Sequence, residues 1–89
     1  PADPVAALEW YRRSAEAGDF RGQFSYGVVM VERGRIEEGL VWLRQALVLG
    51  NLNFLRVASQ ALGQAPQPQV RALAQEYALR RIQLEQLQA

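Results

Sequence analysis

Hydrophobic residues recur every three or four positions along most of the chain, which is the spacing of an amphipathic α-helix. Glycine, proline, aspartate and asparagine interrupt this spacing between the apolar segments. The five helices predicted in this way cover residues 4–17, 20–33, 36–49, 52–62 and 68–88. Residues 28–31 are rich in β-branched side chains, but an isolated strand between helices would have no pairing partner. The pattern therefore predicts an all-α fold.

Capping residues define the predicted helix ends. Asp3, Asp19 and Asn51 each precede an apolar segment, and their side chains can accept hydrogen bonds from the first free backbone N–H groups. The first three helices are each predicted to end at a glycine, which suits the residue after a helix. These glycines are Gly18, Gly34 and Gly50.

Residues 7–19 and 39–51 resemble each other at an offset of 32 residues. The matched pairs are Leu8 with Leu40, Trp10 with Trp42, Arg12 with Arg44, and Gly18 with Gly50. A period near thirty residues with one helix in each copy is typical of stacked helical hairpins. Trp10 and Trp42 are accordingly predicted to pack in a core between hairpins rather than to act as exposed anchors.

The second and third helices carry two further packing signals. Gly27 lies inside the second helix, where a glycine is about 1 kcal/mol less favourable than alanine. We interpret it as a point where a neighbouring helix comes close. The third helix has few purely polar positions, so it is predicted to be the most buried.

Residues 7–19, ALEWYRRSAEAGD, closely resemble the second-helix signature of Sel1-like repeats, a branch of the tetratricopeptide superfamily. Residues 22–27, GQFSYG, resemble the first-helix signature that follows it. The loop at 32–35 is shorter than in most Sel1-like repeats and has tetratricopeptide-like spacing. The resemblance implies a right-handed α-solenoid of antiparallel helix hairpins. It also implies a non-catalytic scaffold, often bacterial, that holds a protein or peptide partner in a concave groove.

Residues 64–68 contain two prolines and form the clearest break between predicted helices. They divide the chain into helical repeats at 1–63, a linker at 64–68 and a C-terminal helix at 69–89. The last helix is predicted to cap the open end of the repeats, and the alternative is a homodimer formed through it. Its predicted apolar stripe is Val70, Leu73, Tyr77, Leu84 and Leu87. The chain begins with Pro1 rather than Met, so we expect it to be a piece of a longer protein.

The superfamily pattern also implies which residues bind the partner, because the first helix of each pair faces the groove. On this pattern the partner-binding residues are Arg21, Phe24, Val28, Asn53, Arg56 and Gln60. Phe24 and Val28 would form an apolar floor, and the polar members would bond to peptide main chain or carboxylates. The alternative function is a structural end-cap or oligomerisation unit with no peptide ligand.

The composition argues against catalysis and metal binding. The chain has no His and no Cys, which excludes a Ser-His-Asp triad, a histidine zinc site and thiolate chemistry. The adjacent acids Glu37 and Glu38 point in directions roughly 100° apart around a helix, so they cannot act on one atom. No Gly-rich phosphate loop is present. We therefore predict no enzyme activity, no cofactor and no catalytic or metal-binding residues.

The charge distribution argues against nucleic acid and membrane partners. The formal net charge is +1, and all ten basic residues are arginine. One cluster on the last helix combines arginines with an aromatic residue, namely Arg71, Arg80, Arg81 and Tyr77. Glu76 and Glu85 lie four residues from Arg80 and Arg81, so we predict that ion pairs neutralise this charge locally. No run of about 18 apolar residues exists, so the sequence predicts no membrane-spanning segment.

Overall fold

The computed structural model describes residues 4–88, which form α-helices joined by short connections and contain no β-strand. The helices are α1 (Pro4–Glu16), α2 (Phe20–Glu32), α3 (Ile36–Leu49), α4 (Leu52–Gly63) and α5 (Pro68–Gln88). Each boundary lies within one residue of the predicted one, so the all-α prediction is confirmed. The predicted cap Asp3 lies outside the described residues.

The helices group into two compact units, Pro1–Leu49 with α1 to α3 and Gly50–Ala89 with α4 and α5. In the first unit, α2 packs against both α1 and α3. In the second unit, α4 packs along α5. The proline-containing segment at 64–68 lies inside the second unit, where it joins its two helices.

Two glycine turns reverse the chain within the first unit. Gly18 has φ of +89° and Gly34 has φ of +86°, a left-handed conformation that glycine adopts without strain. Beyond Gly34, the Arg35 N–H donates to the Met30 carbonyl oxygen at 2.8 Å. This bond across six residues is the signature of a Schellman motif. The prediction that the first two helices end at Gly18 and Gly34 is therefore confirmed.

Side-chain caps begin α2 and α4. A carboxylate oxygen of Asp19 accepts a hydrogen bond from the Arg21 N–H at 2.9 Å. The Asn51 side-chain oxygen accepts one from the Phe54 N–H, also at 2.9 Å. Both predicted caps are confirmed. Gly50 differs from the other two glycines, because α3 ends before it without a positive φ.

Within the first unit, α2 is the most buried helix. Its buried residues are Gly22, Gln23, Tyr26, Gly27, Met30 and Val31. The buried residues of α3 are Gly39, Leu40, Leu43 and Ala46. The prediction that α3 is the most buried is therefore wrong. The reason is the position of α2 in this unit, because α2 packs extensively against both α1 and α3, whereas the extensive packing of α3 is against α2.

The two tryptophans have different environments. Trp42 is half-buried, and its ring meets the ring of Tyr26 edge to face with centroids 5.6 Å apart. Trp10 is 70% exposed, so the prediction that it packs in a core is wrong. Trp10 lies about 140° around α1 from Ala15, at 100° per residue. Ala15 is buried against α2, which leaves Trp10 on the opposite side of the helix.

The core of the second unit comes from α4 and the first half of α5. Its buried residues are Leu55, Ala58, Leu62, Val70, Leu73, Ala74 and Tyr77. Leu87 was predicted to continue this stripe but is 79% exposed. The cause is a difference in length, since α4 has 12 residues and α5 has 21. At 1.5 Å per residue α4 is about 18 Å long and α5 about 32 Å, so the end of α5 extends past its partner.

Candidate partner-binding surface

The predicted partner-binding residues of the first unit lie in one row on α2. Arg21, Phe24 and Val28 are spaced by three and four residues, which places them on one helix face. Arg21 is exposed, and its guanidinium carbon lies 5.4 Å from the centre of the Phe20 ring. Phe24 and Val28 are half-buried. The row thus combines a cation stacked on an aromatic ring with two partly accessible apolar side chains.

The predicted residues of the second unit form an equivalent row on α4. Asn53, Arg56 and Gln60 are all exposed. The structure brings Arg56 and Gln60 together at a pocket of about 320 Å³, which Ser59 and Arg81 also line. Asn53 is not part of this lining. Two of the six predicted residues therefore share a concave site, and α5 contributes a residue that was not predicted.

Glu85 on α5 connects the two arginines of this pocket. Arg56 Nη2 donates to Glu85 Oε2 at 3.1 Å, and Arg81 Nη1 donates to Glu85 Oε1 at 3.2 Å. The first bond joins α4 to α5, and the second is the pair predicted from four-residue spacing. The three side chains keep between 33% and 50% of their surface exposed, so solvent screens both pairs. Each pair therefore contributes at most about 1 kcal/mol to folding.

The pocket continues along the two helices. A second pocket of about 620 Å³ shares Ser59 and Gln60 with the first and follows the junction of α4 and α5. Several of its lining residues are small, which keeps the space between the helices open. We call the combined surface the α4–α5 groove; it is lined by Arg56, Ser59, Gln60, Gly63, Pro68, Arg71, Ala72, Ala74, Gln75, Ala78 and Arg81.

Sequence reasoning assigned only Arg56 and Gln60 of the groove lining to partner binding, and for two of the residues that it missed the chain carries a signal. Arg81 lies four residues after the buried Tyr77, and that spacing places it on the side of α5 that faces α4. Ser59 stands 32 residues after Gly27, where a small residue indicates open space or a close helix. Its hydroxyl donates to the Arg56 carbonyl oxygen at 3.1 Å.

The remaining arginines of α5 have different roles. Arg71 Nη1 donates to the carbonyl oxygens of Ala65 and Pro66, both at 2.8 Å, and so holds the segment between α4 and α5. Arg80 and Glu76 form no ion pair within the described residues, so that predicted pair is wrong. Arg81 is thus the α5 arginine that reaches the groove with a carboxylate partner.

Charged residues of α1 that are three and four positions apart pair along their own helix. Glu9 accepts hydrogen bonds from Arg12 and Arg13, and Arg12 also donates to Glu16 at 2.8 Å. The hydrogen bond from Arg12 holds the pKa of the Glu9 carboxyl below its usual range. This face of α1 is solvated and internally paired.

Within residues 4–88, no group of three or more Asp or Glu side chains lies where it could hold a metal ion. None of α1 to α5 is both long and apolar enough to cross a bilayer. The chemistry present at the α4–α5 groove is that of guanidinium, amide and hydroxyl groups above small apolar side chains.

The resemblance to Sel1-like repeats rests on the residues of this chain, chiefly 7–27. No protein-family model, no curated protein and no solved structure matches the chain.

Proposed function

We propose that this chain is a non-catalytic protein-interaction module that binds a peptide segment of a partner protein in the α4–α5 groove. One observation carries the proposal. Arg56 and Gln60, which the sequence pattern assigns to partner binding, line an open pocket together with Arg81. Guanidinium and amide groups can donate to peptide carbonyls and carboxylates, and the small residues between the helices leave room for peptide side chains.

The Sel1-like identity of the repeats and their right-handed stacking belong to the same proposal. The 32-residue correspondence between the two copies supports it. The glycine turns of the first unit, which join successive helices through short connections, also support it. In such an array the row of Arg21, Phe24 and Val28 on α2 has the same role as the row on α4.

Peptide selection with a groove-filling variant tests this function. Ala78 is half-buried in the groove, so Ala78→Leu places three additional carbons where a peptide would lie. We expect a displayed random-peptide library to yield sequences that bind the native chain and bind Ala78→Leu at least about tenfold more weakly, the effect of 1.4 kcal/mol. Ala61→Leu is the matched control, because Ala61 is exposed on α4 outside the groove lining. Selected peptides that bind Ala78→Leu as tightly as the native chain, or a selection that yields none, would contradict the proposal.

A second candidate function is self-association through α5, the alternative raised by the sequence. The observation that favours it is the exposure of Leu79, Ile82 and Leu87, at 60%, 41% and 79%. Sedimentation equilibrium on the native chain and on a Leu79→Gln, Ile82→Gln double variant separates the two functions. A dimer that dissociates in the double variant supports self-association, whereas a native monomer contradicts it.

A further inference from the structure

We propose that Arg56 and Arg81 form a carboxylate site that takes an Asp or Glu side chain of the bound peptide, and that Glu85 fills this site in the free protein. The inference rests on the proposed function, because it assumes a peptide in the α4–α5 groove. The two guanidinium groups come from different helices and bind one carboxylate, so both lie within reach of a single anion.

Glu85 uses a small part of the hydrogen-bonding capacity of this site. A guanidinium group has five N–H donors, and Glu85 accepts one hydrogen bond from each arginine. Neither contact has the two parallel bonds that make arginine–carboxylate pairs strong. Other guanidinium N–H groups and the Gln60 amide are therefore available to a second carboxylate at the pocket.

The charge at the pocket selects an acidic occupant. The two guanidinium groups and the Glu85 carboxylate have a net charge of +1, and the pocket lining itself contains no acidic side chain. A peptide carboxylate would neutralise this charge, whereas a basic side chain would be repelled. The partial exposure of both arginines gives a ligand direct access to them.

Glu85 is then an internal competitor for the partner's carboxylate. Glu85→Gln removes the competing charge and raises the net charge of the three side chains from +1 to +2. We expect this variant to bind an acidic peptide about fivefold more tightly, the effect of one unit charge at about 4 Å in water. A residue whose only role is to hold the two arginines in place would give the opposite result.

The test is an NMR titration of the full chain with two capped peptides, Ac-Ala-Ala-Glu-Ala-Ala-NH2 and its Gln counterpart. We expect the Glu peptide to shift the side-chain Nε–Hε signals of Arg56 and Arg81. It should also bind about fivefold more tightly than the Gln peptide, in keeping with a half-exposed ion pair. Arg81→Gln should remove this preference. Arg44→Gln should leave it unchanged, because Arg44 is exposed on α3 and forms no ion pair in the described residues.

Several results would overturn the carboxylate site. Equal binding of the two peptides, with shifts confined to the backbone signals of Ala74 and Ala78, would leave the peptide groove in place and remove the carboxylate site. Weaker binding by Glu85→Gln would show that Glu85 positions the arginines instead of competing. Binding that needs a free peptide C-terminus, tested with uncapped penta-alanine, would contradict a side-chain carboxylate as the ligand. No arginine shift with any peptide also overturns the site, and the library selection then decides the proposed function independently.

Discussion

Gly39 on α3 lies against the backbone of Gly27 on α2. A Cβ atom at Gly39 would be 2.6 Å from the Gly27 carbonyl oxygen, well inside van der Waals contact. A Cβ at Gly27 would in turn be 2.9 Å from the Gly39 carbonyl oxygen. The two glycines therefore mark a close approach of α2 and α3, which confirms the interpretation of Gly27 as a close-packing position.

Gly39→Ala should destabilise the chain even though alanine favours a helix. The new methyl group would lie 2.5 Å from Val31 Cγ2 and 2.6 Å from the Gly27 carbonyl oxygen. The second of these atoms belongs to the backbone of α2 and cannot rotate away, so the two helices must separate. Overpacking of this kind lowers the free energy of unfolding by about 1–3 kcal/mol. Urea unfolding followed by far-UV circular dichroism measures the change.

Gly63→Ala is the matched control for this substitution. Its new Cβ would meet the Ala74 Cβ at 4.0 Å, an ordinary contact, so we expect unchanged or slightly higher stability. Equal effects of the two substitutions would show that the contact between Gly39 and Gly27 does not control the packing of α2 on α3.

The helix positions could be predicted from the sequence because their determinants are local. Asp19 and Asn51 bond to N–H groups two and three residues away, and Gly34 ends α2 by its own backbone conformation. Burial depends on neighbours distant in sequence. Trp10 and Trp42 occupy matching places in the two copies, yet one is exposed and the other packs on Tyr26.

In the candidate site, too, some features are determined by local sequence and others by residues distant in sequence. That Arg56 and Gln60 share one face of α4 could be predicted, because residues four apart in a helix are neighbours on its surface. The bond from Arg56 to Glu85 joins residues 29 apart in the sequence, so it depends on how α4 and α5 align. No local pattern determines that alignment, and the part of the groove on α5 was missed for this reason.

Gln23 should be replaceable by a residue that stabilises the first unit. Its side chain is 3% exposed; Nε2 donates to the Ala15 carbonyl oxygen at 3.4 Å, and Oε1 has no hydrogen-bond partner in the described residues. Leaving a buried acceptor unpaired costs about 1–3 kcal/mol, more than one long hydrogen bond returns. Gln23→Met should therefore raise the free energy of unfolding by about 1 kcal/mol.

Urea unfolding of Gln23→Met beside Gln45→Met checks this expectation. Gln45 is exposed on α3, so its replacement should change stability by less than about 0.5 kcal/mol. A loss of stability in Gln23→Met would mean that the bond to Ala15 outweighs the unpaired oxygen.

Substitutions of Gly34 should change the stability of the chain only through the backbone conformation that the turn requires. Nothing lies within 4 Å of a Cβ placed there, so the φ of +86° is the constraint. Gly34→Ala should lower the free energy of unfolding by about 1–2 kcal/mol, the cost of a left-handed residue with a Cβ atom. Gly34→Asn should be less destabilising, because asparagine tolerates this conformation. Thermal unfolding of both variants measures the difference, and equal losses would contradict this account of the turn.

Tyr77 should make the stability of the second unit depend on alkaline pH. Its side chain is fully buried, and burial raises the pKa of its hydroxyl above the usual value near 10. Below about pH 10, the usual pKa of tyrosine, the folded and unfolded chains both keep the Tyr77 proton, so Tyr77 adds no pH dependence to the free energy of unfolding. Above that pH the unfolded chain ionises while the folded chain stays protonated. The unfolded state then binds fewer protons, and the free energy of unfolding falls by about 1.4 kcal/mol per pH unit.

Comparing the native chain with Tyr77→Phe isolates this contribution, because phenylalanine has no proton to lose. Urea unfolding from about pH 9 to about pH 11 measures the free energy of unfolding of both proteins. This free energy should fall more steeply with pH in the native chain than in Tyr77→Phe, and the difference between the two slopes should be that expected for one proton. Any constant difference in stability between the two proteins cancels, since the comparison concerns slopes only. Parallel declines would show that the Tyr77 hydroxyl titrates alike in the folded and unfolded chains, contrary to its burial between α4 and α5.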